Sequence, residues 1–260
     1  MSNHQLSKEL EVAKLVAQKV GNLQIKYFKS KLEVIRKSRK DLVSNVDIEC
    51  QKLSTKLLTE DFDYGILSEE KRIKVLPETE YFWIIDPIDG THNYISGLPL
   101  FGISIALATK SEFLLGVIYL PLLDEMYFAT KGQGSFLNDK RIHVSRNKDI
   151  EKSMINFDNQ LHDNKNLLSI YGSIIDNSFT TRILGSAILD LGFVSSGIID
   201  ARVFSKTKVF DFAAGLTIVD EAGGKVTNFR GAPVTIHSTN VLATNGYIHD
   251  VLLELIKKHL

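Results

Sequence analysis

The sequence of 260 residues predicts a mixed α/β (α+β) fold, and three observations predict it. Apolar residues recur at helical spacing over the first twenty residues. Short apolar segments separated by Gly, Pro and Asn-Asp turns then fill residues 81–144, as in a sheet of short strands. From Leu184 onward, helix and strand patterns alternate. The change of pattern near residue 150 predicts a soft subdomain boundary within one domain spanning residues 1–260.

The first helix is predicted from the apolar positions Leu6, Leu10, Ala13, Ala17 and Val20, and we expect it to end near Gly21. A second helix is predicted to begin at Ser44-Asn45, which have N-cap chemistry, and to carry Ile48, Leu53 and Leu57 inward. A short strand over Ile66–Ser68 then leads into Glu69 and Glu70.

The strands that follow are short. Tyr81–Ile85 forms a buried strand that we expect to stop, or to reach a sheet edge, at Pro87, because proline cannot donate to a ladder. Alternation at Ile103, Ile105 and Leu107 predicts a half-buried strand. Further strands are predicted at Leu114–Leu120, Met126–Thr130, Ser135–Leu137, Arg141–Val144 and Met154–Phe157.

In the last third of the chain, Gly185-Ser186 opens a helix that Gly197 closes. Asp211 precedes the next helix, where it can serve as an N-cap. Strands at Ile198–Phe204, Lys225–Asn228 and Val241–Thr244 and a helix over Ile248–His259 complete the prediction.

The composition is that of an ordinary globular protein, with 44% apolar and 24% charged residues. Because 31 basic residues balance 31 acidic ones, no net charge draws the chain to nucleic acid or to anionic membranes. No segment has the apolar length of a membrane span. The only cysteine, Cys50, allows no intramolecular disulfide and is expected to be packed and inert. We therefore expect a cytoplasmic protein with neither nucleic-acid nor membrane partners.

Asp86 and Asp89 are the first candidate site, since they follow a buried strand on either side of Pro87-Ile88. Two like charges so placed repel unless a cation lies between them. Carboxylate oxygens suit hard cations such as Mg²⁺, and the stiff turn directs the Ile88 carbonyl toward the same ion. A solvated Asp-rich turn is the alternative interpretation.

Glycines and acids elsewhere extend this site. Glu69 ends the preceding strand, and Gly90-Thr91 and Gly185-Ser186-Ala187 place backbone N–H groups at probable helix starts, which bind phosphate well. Ser186 alone is more often a simple N-cap. His92 adjoins the site and either contacts the substrate, supports a residue that binds metal or substrate, or is a plain surface or capping histidine. Carboxylates facing anion-binding helix ends point to metal-assisted hydrolysis of a phosphate ester.

Other catalytic and nucleotide-binding motifs are missing from the sequence. Walker A, G-x-G-x-x-G, G-x-S-x-G and zinc-ligand patterns do not occur in it.

The segments Leu67–Glu70, Trp83–Thr91 and Phe210–Gly215 together resemble the motifs of the inositol monophosphatase family, and Lys131–Asn138 resembles its glycine-containing hairpin. The resemblance runs nearly end to end. It implies a five-layered αβαβα sandwich, shared with fructose-1,6-bisphosphatases, and a Mg²⁺-dependent, lithium-sensitive phosphomonoesterase acting on a small phosphorylated substrate. The family is commonly dimeric, so a homodimer is expected.

By resemblance, the metal ligands are Glu69, Asp86, the Ile88 carbonyl, Asp89 and Asp211. Asp47 and Thr91 match the pair that activates the attacking water beside Glu69. The substrate contacts implied are Asp89, Gly90, Thr91, Gly185, Ser186, Ala187 and Asp211.

Two departures from the family pattern concern substrate choice. Phe210 replaces the usual tryptophan, and Phe204 stands where an acidic residue often contacts inositol hydroxyls. Phe204 either shapes a substrate wall or simply packs, while Arg182, Lys206 and Lys208 either meet a second phosphate or are solvated. The alternatives to an inositol phosphatase are therefore a fructose-1,6-bisphosphatase, an NADP(H) phosphatase, a histidinol-phosphatase and a 3′-phosphoadenosine nucleotide phosphatase. A metal-stabilised binding module is the non-enzyme alternative.

Overall fold

The computed structural model describes residues 3–36, 42–70, 76–158 and 165–260, with the backbone alone at 3–5 and 165. The basic segment from Lys26 to Lys40, which its charge predicts to be a solvated face, is therefore described only as far as Arg36. Within the described ranges, no helix combines the length and the apolar character that a bilayer crossing requires.

The helices of the described residues are α1 (Asn3–Tyr27), α2 (Asn45–Asp61), α3 (Thr91–Ile95), α4 (Lys165–Asn177), α5 (Ala187–Ser195), α6 (Val209–Glu221) and α7 (His249–Lys257). The strands are β1 (Val34–Arg36), β2 (Leu42–Ser44), β3 (Gly65–Ser68), β4 (Phe82–Asp89), β5 (Gly102–Ala108), β6 (Phe113–Leu120), β7 (Glu125–Thr130), β8 (Gly134–Leu137), β9 (Lys140–Ile142), β10 (Met154–Phe157), β11 (Thr180–Arg182), β12 (Ala201–Ser205), β13 (Lys225–Thr227) and β14 (Asn240–Thr244).

These strands form two large sheets and one small one. The first sheet has seven strands in the order β3-β4-β5-β6-β7-β8-β9, in which only β3 and β4 are parallel neighbours. The second has five strands in the order β11-β10-β12-β14-β13, with β10 parallel to both of its neighbours. β1 and β2 pair with each other.

Alternating side chains of β4 show how the first sheet is layered. Trp83 and Ile85 pack into a core with apolar residues of α1 and α2. Phe82 and Ile84 point to the opposite face, into a core that contains α5 and α6. The first sheet is therefore covered by helices on both faces.

The second sheet shares the middle helices. Val241 and Ala243 of β14 point into the same core as α5 and α6, whereas Leu242 between them joins a separate core with α4 and α7. The layers thus run helix, sheet, helix, sheet, helix, which confirms the αβαβα sandwich.

Two predicted element ends were wrong. α1 continues past Gly21 to Tyr27. Gly21 serves close packing instead, because a Cβ there would lie 2.5 Å from the Tyr119 ring. β4 runs through Pro87 to Asp89, and its register against β5 shifts between Asp86 and Asp89. A bulge of this kind is where a central strand tolerates proline.

Burial also differs from the sequence prediction in two elements. All seven residues of β5 are buried, because helices cover both faces of the sheet. In α2 the fully buried positions include Val46, Cys50 and Leu58, whereas the predicted Ile48, Leu53 and Leu57 are half-buried. α4 and β11 occupy a region for which the sequence made no helix or strand prediction.

Candidate active site

The bulge at the end of β4 positions the first two carboxylates. The Ile88 N–H donates to Asp86 Oδ1 over 3.1 Å, and this bond orients the Asp86 side chain. Gly90 follows with φ of 82°, a left-handed conformation that suits glycine, and α3 begins directly at Thr91. Asp86 and Asp89 are both buried.

Asp211 comes to the same place from α6. The prediction that it is the N-cap was wrong, because Lys208 occupies that position and Asp211 lies three residues later. Its Oδ2 accepts a hydrogen bond from the Lys208 N–H at 2.8 Å and one from Thr207 Oγ1 at 2.7 Å. These two bonds hold the half-buried carboxylate at the start of the helix.

Asp86, Asp89 and Asp211 form one cluster, in which one oxygen of each lies within 4.8 Å of the others. Oxygens bound to one Mg²⁺ at about 2.1 Å are separated by about 3–4 Å. The donor set is therefore right for a hard divalent cation, and small side-chain rotations would bring these oxygens to ligand distances.

The cluster is electrostatically unfavourable by itself. Burial raises the pKa of Asp86 well above its usual range, and the charges of Glu69 and Asp89 add to the effect. Burial likewise raises the pKa of Asp89 to about 7 and, with the charge of Glu69, raises that of Asp211. A cation would remove this repulsion, which is the electrostatic signature of a metal site.

Glu69 lies at the edge of the cluster. It follows β3 directly, and its N–H donates to the Ile85 carbonyl of β4 at 3.1 Å, so the parallel pairing of the two strands places it beside Asp86. Its side chain is 17% exposed, and its Oε1 lies 3.5 Å from Lys208 Nζ. The residue thus faces both the cluster and solvent.

Asp47 and Thr91 meet next to the bulge. Thr91 Oγ1 lies 3.0 Å from Asp47 Oδ1 and 2.9 Å from the Ile88 carbonyl. Asp47 Oδ2 accepts from the Ser44 N–H at 2.8 Å and from Ser44 Oγ at 2.5 Å, in a capping box that begins α2. Burial raises the pKa of Asp47, while the bonds from Ser44 and Thr91 lower it. The predicted Asp47–Thr91 pair is therefore a direct contact.

The start of α5 closes the site from the other side. Ser186 Oγ donates to Asp89 Oδ1, and the Ala187 N–H donates to Asp89 Oδ2 at 3.2 Å. Ser186 Oγ also accepts from the Leu189 N–H at 3.4 Å, so Ser186 is both an N-cap and a contact of Asp89. Gly185 has a φ of 75°.

Asn93 was missed in the sequence and lies behind this helix start. Its Nδ2 donates to the carbonyls of Leu100 and Leu184, each at 2.8 Å. A Cβ on Gly185 would lie 3.0 Å from Asn93 Oδ1. Asn93 therefore ties α3 to the Gly185 turn, and no local sequence signal marks that role. The N-cap predicted at Ser44-Asn45 is Ser44, and its spacing to Asp47 is that of a capping box.

Phe204 and Arg182 do not join the site. Phe204 is 2% exposed and packs in the core, with the Arg202 guanidinium carbon 4.5 Å from its ring centroid. The interpretation that Phe204 packs is therefore right, and the substrate-wall alternative is wrong. Arg182 donates to the Thr181 carbonyl at 2.8 Å within its own strand. Lys206 and His92 are exposed.

Cys50 is fully buried, and burial raises the pKa of its thiol, so the expectation of an inert thiol is supported.

Several known proteins are similar to this chain in sequence or in fold. The chain is 35% identical to a fructose-1,6-bisphosphatase/inositol-1-monophosphatase of Thermotoga maritima over 246 residues, 92% of each chain. It is 38% identical to Nus factor SuhB of Xylella fastidiosa over 223 residues, 83% of this chain and 80% of that one. A solved IMPase/NADP phosphatase complexed with Mg²⁺ and phosphate superimposes with a TM-score of 0.85 at 26% identity, covering 98% of this chain and 96% of the other. Residues 5–260 match the model of the inositol monophosphatase family, and the chain belongs to that family of phosphatases.

Proposed function

We propose that the protein is a Mg²⁺-dependent phosphomonoesterase that hydrolyses inositol monophosphate or a related small sugar phosphate. The observation that carries the proposal is the cluster of buried Asp86 and Asp89 and half-buried Asp211 beside the N-terminus of α5. Repelling carboxylates call for a cation, and the adjacent helix N–H groups suit a phosphate.

The proposed metal ligands are the carboxylates of Glu69, Asp86, Asp89 and Asp211 and the Ile88 carbonyl. All are oxygen donors, which Mg²⁺ prefers over the nitrogen and sulfur donors of zinc sites. Mg²⁺ bound there would neutralise the negative charge of the phosphate oxygens and lower the pKa of a water molecule that it binds. The partial exposure of Glu69 supports a position where substrate and water reach the cluster.

Asp47, Thr91 and Glu69 are proposed to orient the attacking water. The 3.0 Å contact between Thr91 Oγ1 and Asp47 Oδ1 supports this role. If the threonine hydroxyl donates to Asp47, its oxygen can accept a hydrogen bond from the water, which directs that water's lone pair at phosphorus. Glu69 is proposed to accept the one proton that the water loses when it attacks.

The backbone N–H groups at Gly90 and Thr91, with those from Gly185 to Ala187, are proposed to hold the phosphate and the sugar. Both segments begin helices and adjoin Asp89, which with Asp211 is proposed to contact substrate as well as metal. The contact of Ser186 and Ala187 with Asp89 supports this placement.

The proposed choice of substrate follows from Phe204 and from Lys208, which lies beside Glu69 at the edge of the cluster. Buried Phe204 cannot contact a sugar, so the acidic inositol contact has no direct replacement at that position. Lys208, whose Nζ lies 3.5 Å from Glu69, is the nearby cation that could meet a second phosphate. Fructose bisphosphate and NADP, which the names of two similar proteins mention, are therefore the alternatives to test first.

We further propose a cytoplasmic, lithium-sensitive homodimer in which residues 1–260 act as one domain. The dimer is proposed from the family resemblance, because dimers are common in that family. The single cysteine fits a reducing compartment.

Phosphate release tests the proposed function. The purified protein should hydrolyse inositol-1-phosphate with added Mg²⁺ and lose that activity with EDTA. Specificity constants for inositol-1-phosphate, fructose-1,6-bisphosphate and NADP would rank the substrates. If no phosphate ester in such a panel is hydrolysed while Mg²⁺ still binds, the binding-module alternative is right.

A further inference from the structure

Gln24 links α1 to the carboxylate bulge. It lies in the last turns of the helix, is fully buried, and its Nε2 donates to the Pro87 carbonyl at 2.8 Å. Pro87 lies between the two aspartates of β4 and is 63 residues away in sequence. Gln24 thus connects α1 to the backbone between the two aspartates by a hydrogen bond.

The bond continues through one peptide unit to Asp86. The Pro87 carbonyl and the Ile88 N–H belong to the same rigid, planar peptide. That N–H donates to Asp86 Oδ1 at 3.1 Å. Hydrogen bonds in such a chain polarise one another, so the Gln24 amide both fixes the peptide plane and strengthens the bond that orients the carboxylate.

A second contact holds the other side of the bulge. The Gln24 carbonyl accepts a hydrogen bond from the Tyr94 hydroxyl at 2.8 Å. Tyr94 belongs to α3, is 1% exposed, and packs edge-on against Phe101 with ring centroids 4.7 Å apart. One residue of α1 therefore holds segments on both sides of Gly90.

The Gln24 side chain is not explained by stability alone. Because the Pro87 oxygen only accepts, the amide must present its NH₂ group, which leaves Oε1 buried and without a hydrogen-bond partner among the described residues. A buried acceptor of this kind costs about 1–3 kcal/mol. An apolar side chain of the same length would avoid that cost, but it would also release the Pro87 peptide.

We propose that Gln24 is a positioning residue for the metal site, acting through the Pro87–Ile88 peptide on Asp86 and on the Ile88 carbonyl. The inference rests on the proposed function for its catalytic consequence, but the metal-binding consequence stands without it. Removing such an outer partner of a metal ligand lowers metal affinity or activity by about 10–100-fold.

Gln24→Met tests the proposal, because methionine keeps the length of the side chain and removes the donor. Calorimetry should show Mg²⁺ affinity weakened about tenfold, and kcat at saturating Mg²⁺ should fall by a similar factor while KM for substrate changes little. The melting temperature without Mg²⁺ should stay within a few degrees of the parent. Gln18→Met is the matched control on the exposed face of α1, and it should leave all these values unchanged.

Gln24→Leu provides a second apolar variant that lacks both N–H donors, and it should show the same loss. A folded Gln24→Met protein with parental Mg²⁺ affinity and kcat would overturn the proposal, as would an equal loss in Gln18→Met. If the parent hydrolyses no phosphate ester but Gln24→Met still weakens Mg²⁺ binding, the proposed function fails and the positioning role stands.

Discussion

The aspartate cluster at the end of β4 and the single buried Asp190 differ in the charges that surround them. Asp86, Asp89 and Asp211 face one another at the end of β4. Asp190 of α5 instead faces Arg202 of β12, whose Nε lies 3.0 Å from its Oδ2, and it accepts a 2.5 Å hydrogen bond from Asn156. Asp86 and Asp89 are buried, as Asp190 is, so burial alone does not distinguish a functional site from a structural one.

The charge of the neighbouring side chains distinguishes Asp190 from the cluster. The pKa of Asp190 is raised to about 6, because the effect of burial outweighs the lowering by the Arg202 charge and the Asn156 hydrogen bond. The neighbours of Asp86 are other carboxylates, which raise its pKa further. The charge of Asp190 is thus balanced by Arg202 within the fold, whereas the proposed metal cluster is balanced by a cation from solution. The first predictions below separate these two kinds of buried charge.

The largest effect is expected in the paired group. Arg202→Met leaves Asp190 buried without its counter-charge, and breaking a buried pair in this way costs about 3–5 kcal/mol of folding free energy. Denaturant unfolding measures the loss. The double variant Asp190→Leu/Arg202→Met should recover much of it, and Mg²⁺ affinity of the folded protein should not change in either variant.

In the cluster, Asp89→Asn should instead damage activity. Removing one charge from the multi-carboxylate site takes away a few kcal/mol of barrier lowering, which is on the order of a hundredfold or more in rate. Asp211→Asn should behave alike. Steady-state hydrolysis with saturating Mg²⁺ is the measurement, and turnover within a few-fold of the parent would place the site elsewhere.

The third prediction concerns metal and stability together. Mg²⁺ at one hundred times its Kd should stabilise the parent by about 2.7 kcal/mol, because it binds only the folded cluster. Asp86→Asn relieves the repulsion, so this variant should melt higher than the parent in EDTA and lose most of the Mg²⁺ response. A parent whose melting temperature ignores Mg²⁺ would contradict the comparison.

Thr91→Ala and Asp47→Asn should lower turnover by about tenfold or more while leaving Mg²⁺ affinity largely intact, since these residues are proposed to orient water. Calorimetric Mg²⁺ titration alongside turnover separates the two effects. Weakened affinity with normal turnover at saturating Mg²⁺ would assign them to metal holding instead.

The smallest effect comes from His249, a buried base near the second sheet. Its ring nitrogens lie 3.0 Å from Thr227 Oγ1 and 2.9 Å from Thr244 Oγ1, and burial, aided by the charge of Lys225, lowers its pKa to about 4, while Asp250 acts in the opposite direction. His249 therefore binds a proton below about pH 6.5 in the unfolded chain, but only below about pH 4 in the native state.

His249 should consequently cost the protein about 1 kcal/mol of stability as the pH falls from 7 to 5.5. Unfolding curves of the parent and of His249→Gln at both pH values check this. The parent should lose more stability than the variant, and parallel curves would show that His249 titrates normally in the fold.

Local sequence was enough to predict most strands and the chemistry of the site. Apolar runs bounded by Gly, Pro and Asn-Asp turns marked β4 to β8, because hydrophobic pattern and turn propensity act within a few residues. Asp86, Asp89 and Gly90 lie together in the chain, so their proximity followed from the backbone alone. Asp211 was placed beside them by family resemblance, and the structure brings the three carboxylates together.

Which face a side chain occupies was decided only in the folded protein. Phe204 could point toward substrate or into a core, and alternation along β12 does not distinguish these faces, because helices bury both sides of the sheet. For the same reason β5 is buried throughout rather than on one face.

The sequence by itself determined most of the helices and strands, the candidate oxygen donors and the family. Only the tertiary structure decided that Gln24, Asn93 and Thr207 support the site, because each acts through a hydrogen bond to a segment brought near by packing or by a helix start. Hydrophobic periodicity is a local property that a sequence displays directly. A hydrogen bond between residues 63 or 91 positions apart depends on how whole layers pack, and no local pattern records it.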